Sequence, residues 1–186
     1  MQQPLIFVDT EYTTFGPTRA TGWPEAHHHK EIVQIAAVLY DLEKNKELSA
    51  FNILIRPTIN PQLSNHFTTL THITQIAVDT EGITFHEGLK QFQTFCADYP
   101  LWTFDQDLYV FKENCTLNSL PLPFQQPFTQ VKTYLSRWGI DASQYSSGTL
   151  YTAIGLLLEG HVHNALHDVR SMAATVSHFS RKGQLA

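Results

Sequence analysis

The chain has 186 residues, with 12 basic and 17 acidic side chains and a formal net charge of −5. Only 16% of residues are charged, against roughly 25% in ordinary soluble domains, while 42% are apolar. These figures exclude a disordered chain and argue against a protein that coats nucleic acid through bulk positive charge. A local basic groove beside an acidic metal site remains compatible with them. The length suits a single domain over 1–186 with a full core.

Leu5-Ile6-Phe7-Val8 reads as a buried strand, followed by Asp9-Thr10-Glu11 at its exit. Strand side chains alternate faces, so Asp9 and Glu11 point the same way. Two neighbouring carboxylates raise each other's pKa unless a cation lies between them, and hard divalent cations prefer such oxygen ligands. Tyr12 to Lys30 is polar and contains Gly16, Pro17, Gly22 and Pro24, a loop leaving the strand. Its Phe15 and Trp23 are candidates for stacking on a base, Phe15 the stronger. His27-His28-His29 is internal and reads as exposed loop.

Glu31 to Tyr40 is a second, mostly apolar strand. Asp41 to Lys46 is a turn, and Leu48 to Arg56 is a third strand stopped by Pro57. The short turn predicts an antiparallel meander of the three. Leu63 to Leu70 is a short helix, and Thr71 to Thr80 a helical turn and connector. Thr84 and Glu87 form a capping box that opens a helix burying Leu89, Phe92, Phe95 and Cys96, with Tyr99-Pro100 ending it. Leu101 to Phe104 is a fourth strand, again ending in acids, Asp105 and Asp107. Leu108 to Asn114 is helical.

The Pro-rich stretch from Cys115 to Pro127 is not assigned by its pattern, and Thr129 to Trp138 fits strand or helix. Thr149 to Leu158 has helical spacing, stopped by Gly160. His161-Val162-His163 is an extended connector. Asn164 to Phe179 is the last helix, with Leu166, Val169, Met172, Ala173 and Val176 turned to the core. The element order predicts one α/β domain, a mixed sheet flanked by helices.

Cys96 and Cys115 have no metal-ligand spacing and read as buried thiols in a reducing compartment. The N-terminus has no basic run and no apolar stretch is long enough to span a bilayer, so a cytoplasmic protein without signal peptide or membrane partner is expected.

Three separate elements deliver acids: Asp9 and Glu11, Asp105 and Asp107, and Asp168 in the last helix. Together they form a cluster for two cations, an arrangement suited to phosphodiester hydrolysis with a nearby His as general base. No G-x-S-x-G, P-loop or G-x-G-x-x-G is present.

At these positions the chain resembles a known family. Phe7-Val8-Asp9-Thr10-Glu11 is similar to the first motif of the DEDDh 3′→5′ exonucleases. His163-Asn164-Ala165-Leu166-His167-Asp168 is similar to their third, H-x-A-x-x-D. Ile55-Arg56-Pro57, Leu63-Ser64, Leu70 to Gln75 and Val78-Asp79 resemble the branch of the KapD-like proteins and the enhanced-RNAi exoribonucleases. That branch usually has Gly where this chain has His72.

The resemblance implies a ribonuclease H-like exonuclease fold, with the antiparallel first three strands joined by parallel ones. It implies two divalent cations, Mg²⁺ or Mn²⁺, and a single-stranded nucleic acid, RNA or DNA, with a free 3′ end. By the same resemblance Asp9, Glu11, Asp107 and Asp168 are metal ligands, His163 is the general base, and Thr10 and Phe15 help seat the terminal nucleotide. His161 and His167 are the alternative bases. Asp107 is chosen over Asp105 because it sits at the cap of an apolar stripe formed by Leu108, Phe111 and Cys115. The competing readings are a catalytically silent binding module on the same fold and a metal hydrolase of small nucleotides.

Overall fold

The computed structural model describes residues 3–17, 22–125 and 128–185. Its strands are β1 (Leu5–Tyr12), β2 (Ile32–Asp41), β3 (Lys46–Leu54), β4 (Leu101–Thr103) and β5 (Phe128–Gln130). They form one sheet in the order β3-β2-β1-β4-β5. The β1–β2 and β2–β3 pairs are antiparallel and the β1–β4 and β4–β5 pairs parallel, so the sheet is mixed as expected. The apolar run of β1 is buried on both faces because helices cover both sides of the sheet.

The helices are α1 (Asn65–Thr71), α2 (Gln75–Glu81), α3 (Phe85–Cys96), α4 (Asp107–Leu117), α5 (Lys132–Leu135) and α6 (Ala165–Arg181). Alternation along β1 divides the core in two. Leu5 and Phe7 pack with Val169, Met172, Ala173 and Val176 of α6. Ile6 and Val8 pack with Phe92 of α3 and Val110 and Phe111 of α4. Asp9 and Glu11 continue the odd-numbered row, so the same alternation turns them toward the face covered by α6.

The parallel register Ile6↔Leu101 and Phe7↔Trp102 brings the exit of β4 beside the exit of β1. The start of α4 therefore lies next to Asp9 and Thr10. On the other side, the buried Glu31 carboxylate accepts the backbone N–H groups of Thr58, Ile59 and Asn60 at 2.7, 2.8 and 2.6 Å. This ties the start of β2 to the loop that leads to α1.

Local signals predicted several of these elements. Thr84 and Glu87 make both bonds of a capping box at α3. Cys96 and Cys115 are buried free thiols, raised by desolvation to about 12 and about 11. Among the described residues no helix is long and apolar enough to cross a membrane.

Five expectations change. Residues 75–81 are a full helix because the Thr74 hydroxyl caps Ala77 N–H. The ambiguous 129–138 stretch is strand, α5 and a 3₁₀ turn in succession, which is why no single period fits it. The expected helix over 149–158 is a 3₁₀ helix, Ser147–Ile154, closed by Gly155 at φ 70° rather than by Gly160. Leu157 lies outside it, 98% exposed. His161 to His163 is a turn, with His163 at φ 67°, and not an extended connector. Asp107 is the first residue of α4 rather than its cap, a position Gln106 takes without a side-chain bond. Gln126 and Pro127 lie outside the described residues.

Candidate active site

A cleft of about 760 Å³ opens where β1, β4 and the N-terminus of α6 converge. Asp9, Thr10, Glu11, Asp105, Asp107, His163 and Asp168 all line it. Three mechanisms deliver these groups. Asp9 and Glu11 arrive by strand alternation. Asp107 arrives on the first turn of α4, and Asp168 on the first turn of α6, where the helix dipole favours an acid.

Asp107 and Asp168 are held in place by hydrogen bonds from distant parts of the chain. Asp107 Oδ1 accepts the Thr10 N–H at 3.1 Å and the Thr10 hydroxyl at 2.9 Å. Both donors of Thr10 are thereby engaged with Asp107. Asp168 Oδ2 accepts the Ser147 hydroxyl at 2.9 Å, and the same hydroxyl lies within hydrogen-bonding reach of Asp9. Ligand atoms of Glu11, His163 and Asp168 all lie within 4.8 Å of one another.

Among the described residues no lysine or arginine forms an ion pair with Asp9, Glu11, Asp107 or Asp168. Burial without a counter-charge raises all four. Asp9 stands well above the ordinary carboxylate range, through desolvation first and then the charges of Asp107, Asp168 and Glu11. Glu11 is raised well above it too, by desolvation and then by Asp168 and Asp107. Desolvation pushes Asp107 and Asp168 up to about 6, against hydrogen bonds from Thr10 and Ser147. The nearby Tyr12 phenol is pushed up to about 12 by burial and then by the charges of Asp107, Asp9, Glu11 and Asp105.

Asp168 Oδ1 is buried without a hydrogen-bond partner. A cluster of four raised carboxylates with one orphaned oxygen has the donor chemistry of a hard divalent cation site, and a cation there would relieve the repulsion. Asp105 also lines the cleft but differs in its partner and its exposure. Its Oδ2 pairs with Lys132 Nζ at 2.7 Å, and its side chain is 34% exposed.

The histidines also separate. His163 faces the cleft and is lowered from its ordinary value by burial and by His161. His167 points the other way, its two ring nitrogens 3.2 and 3.0 Å from the carbonyls of Glu159 and Gly148. His161 bonds the Leu70 carbonyl and is absent from the cleft wall.

Phe15 is not among the residues lining the cleft. Its ring is stacked on His28 at 3.7 Å, and His28 itself faces the cleft. Tyr12 and Trp23 form the aromatic wall instead, with Lys30 Nζ 4.7 Å over the Trp23 ring and 5.5 Å from that of Tyr12.

Sequence reasoning missed Ser147 and Gly148. A Cβ at Gly148 would lie 2.3 Å from Asp168 Oδ1, so only glycine leaves room for that carboxylate. The Ser146–Thr149 pairing marks the start of a helical segment, but nothing local indicates that it meets Asp168.

Acids and a histidine gathered in one cleft at the strand exits have the chemistry that phosphodiester hydrolysis needs. A sequence profile of the RNase T family, described as exonuclease, matches residues 6–176. The chain belongs to this family of exonucleases. It is similar to the 3′-5′ exonuclease Snipper of Drosophila melanogaster, 27% identical over 206 residues, which span 97% of this chain and 70% of that protein.

Among solved structures, the nuclease domain of 3′hExo, a DEDDh family member bound to rAMP, superposes with a TM-score of 0.84 at 24% identity. The match covers 97% of this chain and 93% of that one. A 3′-exonuclease that recognises the histone mRNA stem-loop superposes with a TM-score of 0.84 at 22% identity, covering 97% and 83%. These likenesses show that the fold is the ribonuclease H-like exonuclease fold.

Proposed function

We propose that the chain removes nucleotides one at a time from the free 3′ end of single-stranded nucleic acid, RNA or DNA, in a reaction that requires two divalent cations, Mg²⁺ or Mn²⁺. The observation that carries this reading is the convergence of Asp9, Glu11, Asp107 and Asp168 with His163 in one cleft, where among the described residues no lysine or arginine is ion-paired with them. In this reading the four carboxylates hold the cations. When bound, the cations supply a water of lowered pKa and neutralise charge on the attacking and leaving oxygens.

The protein's own groups do the rest. Thr10 fixes the Asp107 carboxylate through two bonds. Ser147 spaces Asp168 from Asp9. His163, lowered by burial, is neutral at physiological pH and can take the proton from the attacking water. Tyr12, Trp23 and Lys30 offer two ring faces and one cation to the nucleotides behind the scissile bond. The solved relatives' binding of rAMP and of an mRNA stem-loop supports a nucleic-acid substrate. The chain acts as a single domain in the cytoplasm.

The test uses 5′-labelled DNA and RNA oligomers, single- and double-stranded, with Mg²⁺ or Mn²⁺. The expected product is a ladder of one-nucleotide steps from the 3′ end of single strands. Cleavage of a circular single strand, or no product from any oligomer, would overturn the proposal.

A further inference from the structure

The turn that carries His163 is fastened at both ends. On one side Asn164, the next residue, caps α6 through its side chain, which accepts the Leu166 N–H. On the other side His161 lies flat on His72, ring centroids 3.6 Å apart and planes 11° apart. The Nε2 of His161 is 2.9 Å from the Leu70 carbonyl. Leu70 and Phe67 of α1 line the cleft. The second fastening therefore joins the turn bearing His163 to the helix that walls the cleft.

His72 occupies a position that its own backbone does not favour. It closes α1 in the left-handed conformation, at φ 60°. Glycine adopts that conformation without penalty, and other residues do not. The cap bond from the His72 N–H to the Thr68 carbonyl would form equally with glycine. The side chain is exposed, so core packing does not account for it. What glycine would lack is the ring under His161. His163 is itself left-handed at φ 67°, a backbone that persists only where surrounding contacts hold it.

We propose that His72 and His161 are positioning residues, whose ring stack clamps the His163 turn to α1 and keeps His163 aimed at the carboxylates. The proposal rests on the reading of His163 as general base. A residue that only stabilised the fold would lose stability and activity together. A clamp acting through His163 loses turnover while the strained backbone at position 72 is relieved or unchanged.

The experiment compares the full chain with His72→Asn and His72→Tyr. Asparagine tolerates the left-handed region but has no ring, and tyrosine restores a ring. Three readouts are taken: kcat and KM on a single-stranded oligomer with Mn²⁺, thermal midpoint, and amide hydrogen exchange across Val162 to Asn164.

In His72→Asn the expected result is a kcat lower by about three- to tenfold, the range a stacked pair can supply. KM and midpoint should be unchanged and exchange in the turn faster, with His72→Tyr recovering both kcat and protection. Unchanged exchange in His72→Asn overturns the clamp. Faster exchange with unchanged kcat in an active enzyme overturns the positioning role and leaves the functional reading standing. A parent that releases no nucleotide fails that reading, and the positioning role with it, on the parent's result alone.

Discussion

Replacing Asp107 by Asn is expected to stabilise the metal-free protein while destroying its activity. The carboxyl rises from an ordinary 3.8 to about 6 on folding, chiefly through burial. A native pKa above the unfolded one means that the folded state binds the proton more tightly. The associated stability is present in full below the unfolded value and is lost as pH rises through about 6. At about 1.36 kcal/mol per unit, the ionised group costs the native state about 3 kcal/mol well above that pKa. Asparagine is isosteric, and its Oδ1 still accepts the Thr10 N–H and hydroxyl, so the substitution removes the charge and keeps the bonds.

Urea unfolding in excess chelator should show a gain of up to about 3 kcal/mol at about pH 8, shrinking to roughly half of that near pH 5. The same variant should be near-inactive on an oligomer at saturating Mn²⁺, because a ligand oxygen has lost its charge. A loss of stability at pH 8, or an equal gain at both pH values, would refute the argument that this charge is buried uncompensated.

Asp9→Ala and Glu11→Ala should each abolish cleavage without unfolding the protein; retained activity at saturating Mg²⁺ in either would sink the two-cation assignment. Asp105→Asn should keep measurable activity, since its carboxylate is engaged with Lys132; a deeper loss than in Asp107→Asn would move the ligand to position 105. His163→Ala should lower the rate by roughly 10²–10⁴-fold, the usual worth of a general base, with oligomer binding kept. The parent's ascending pH–rate limb should lie below the ordinary histidine value, as burial of His163 dictates, and should vanish in the variant. Gly148→Ala forces Asp168 to move, so it should reduce the thermal stabilisation by Mn²⁺ as well as the rate; an undiminished Mn²⁺ shift would show that the Asp168 carboxylate has room to spare.

The apolar run Leu5 to Val8 was enough to mark a strand, and strand alternation, being local, then put Asp9 and Glu11 on one face. The spacing from His163 to Asp168 likewise placed an acid in the first turn of a helix, and Thr84 with Glu87 marked another helix start. Such features depend on neighbours within a few residues, which the sequence displays directly. Tertiary structure decided the rest. Asp107 meets Thr10 across 97 positions of chain only because β4 pairs in parallel with β1, bringing two strand exits side by side. Ser147 and Gly148 meet Asp168 because the 3₁₀ segment packs on α6, and no local pattern encodes that meeting. Phe15 looked free to stack on a base until the loop folded His28 onto it. The pairing of His72 with His161 arose in the same way, between a helix end and a turn that the chain separates by almost half its length. Periodicity and capping are read along the chain, whereas a cleft is made by the closure of long loops, and which side chains then face one another is settled by packing.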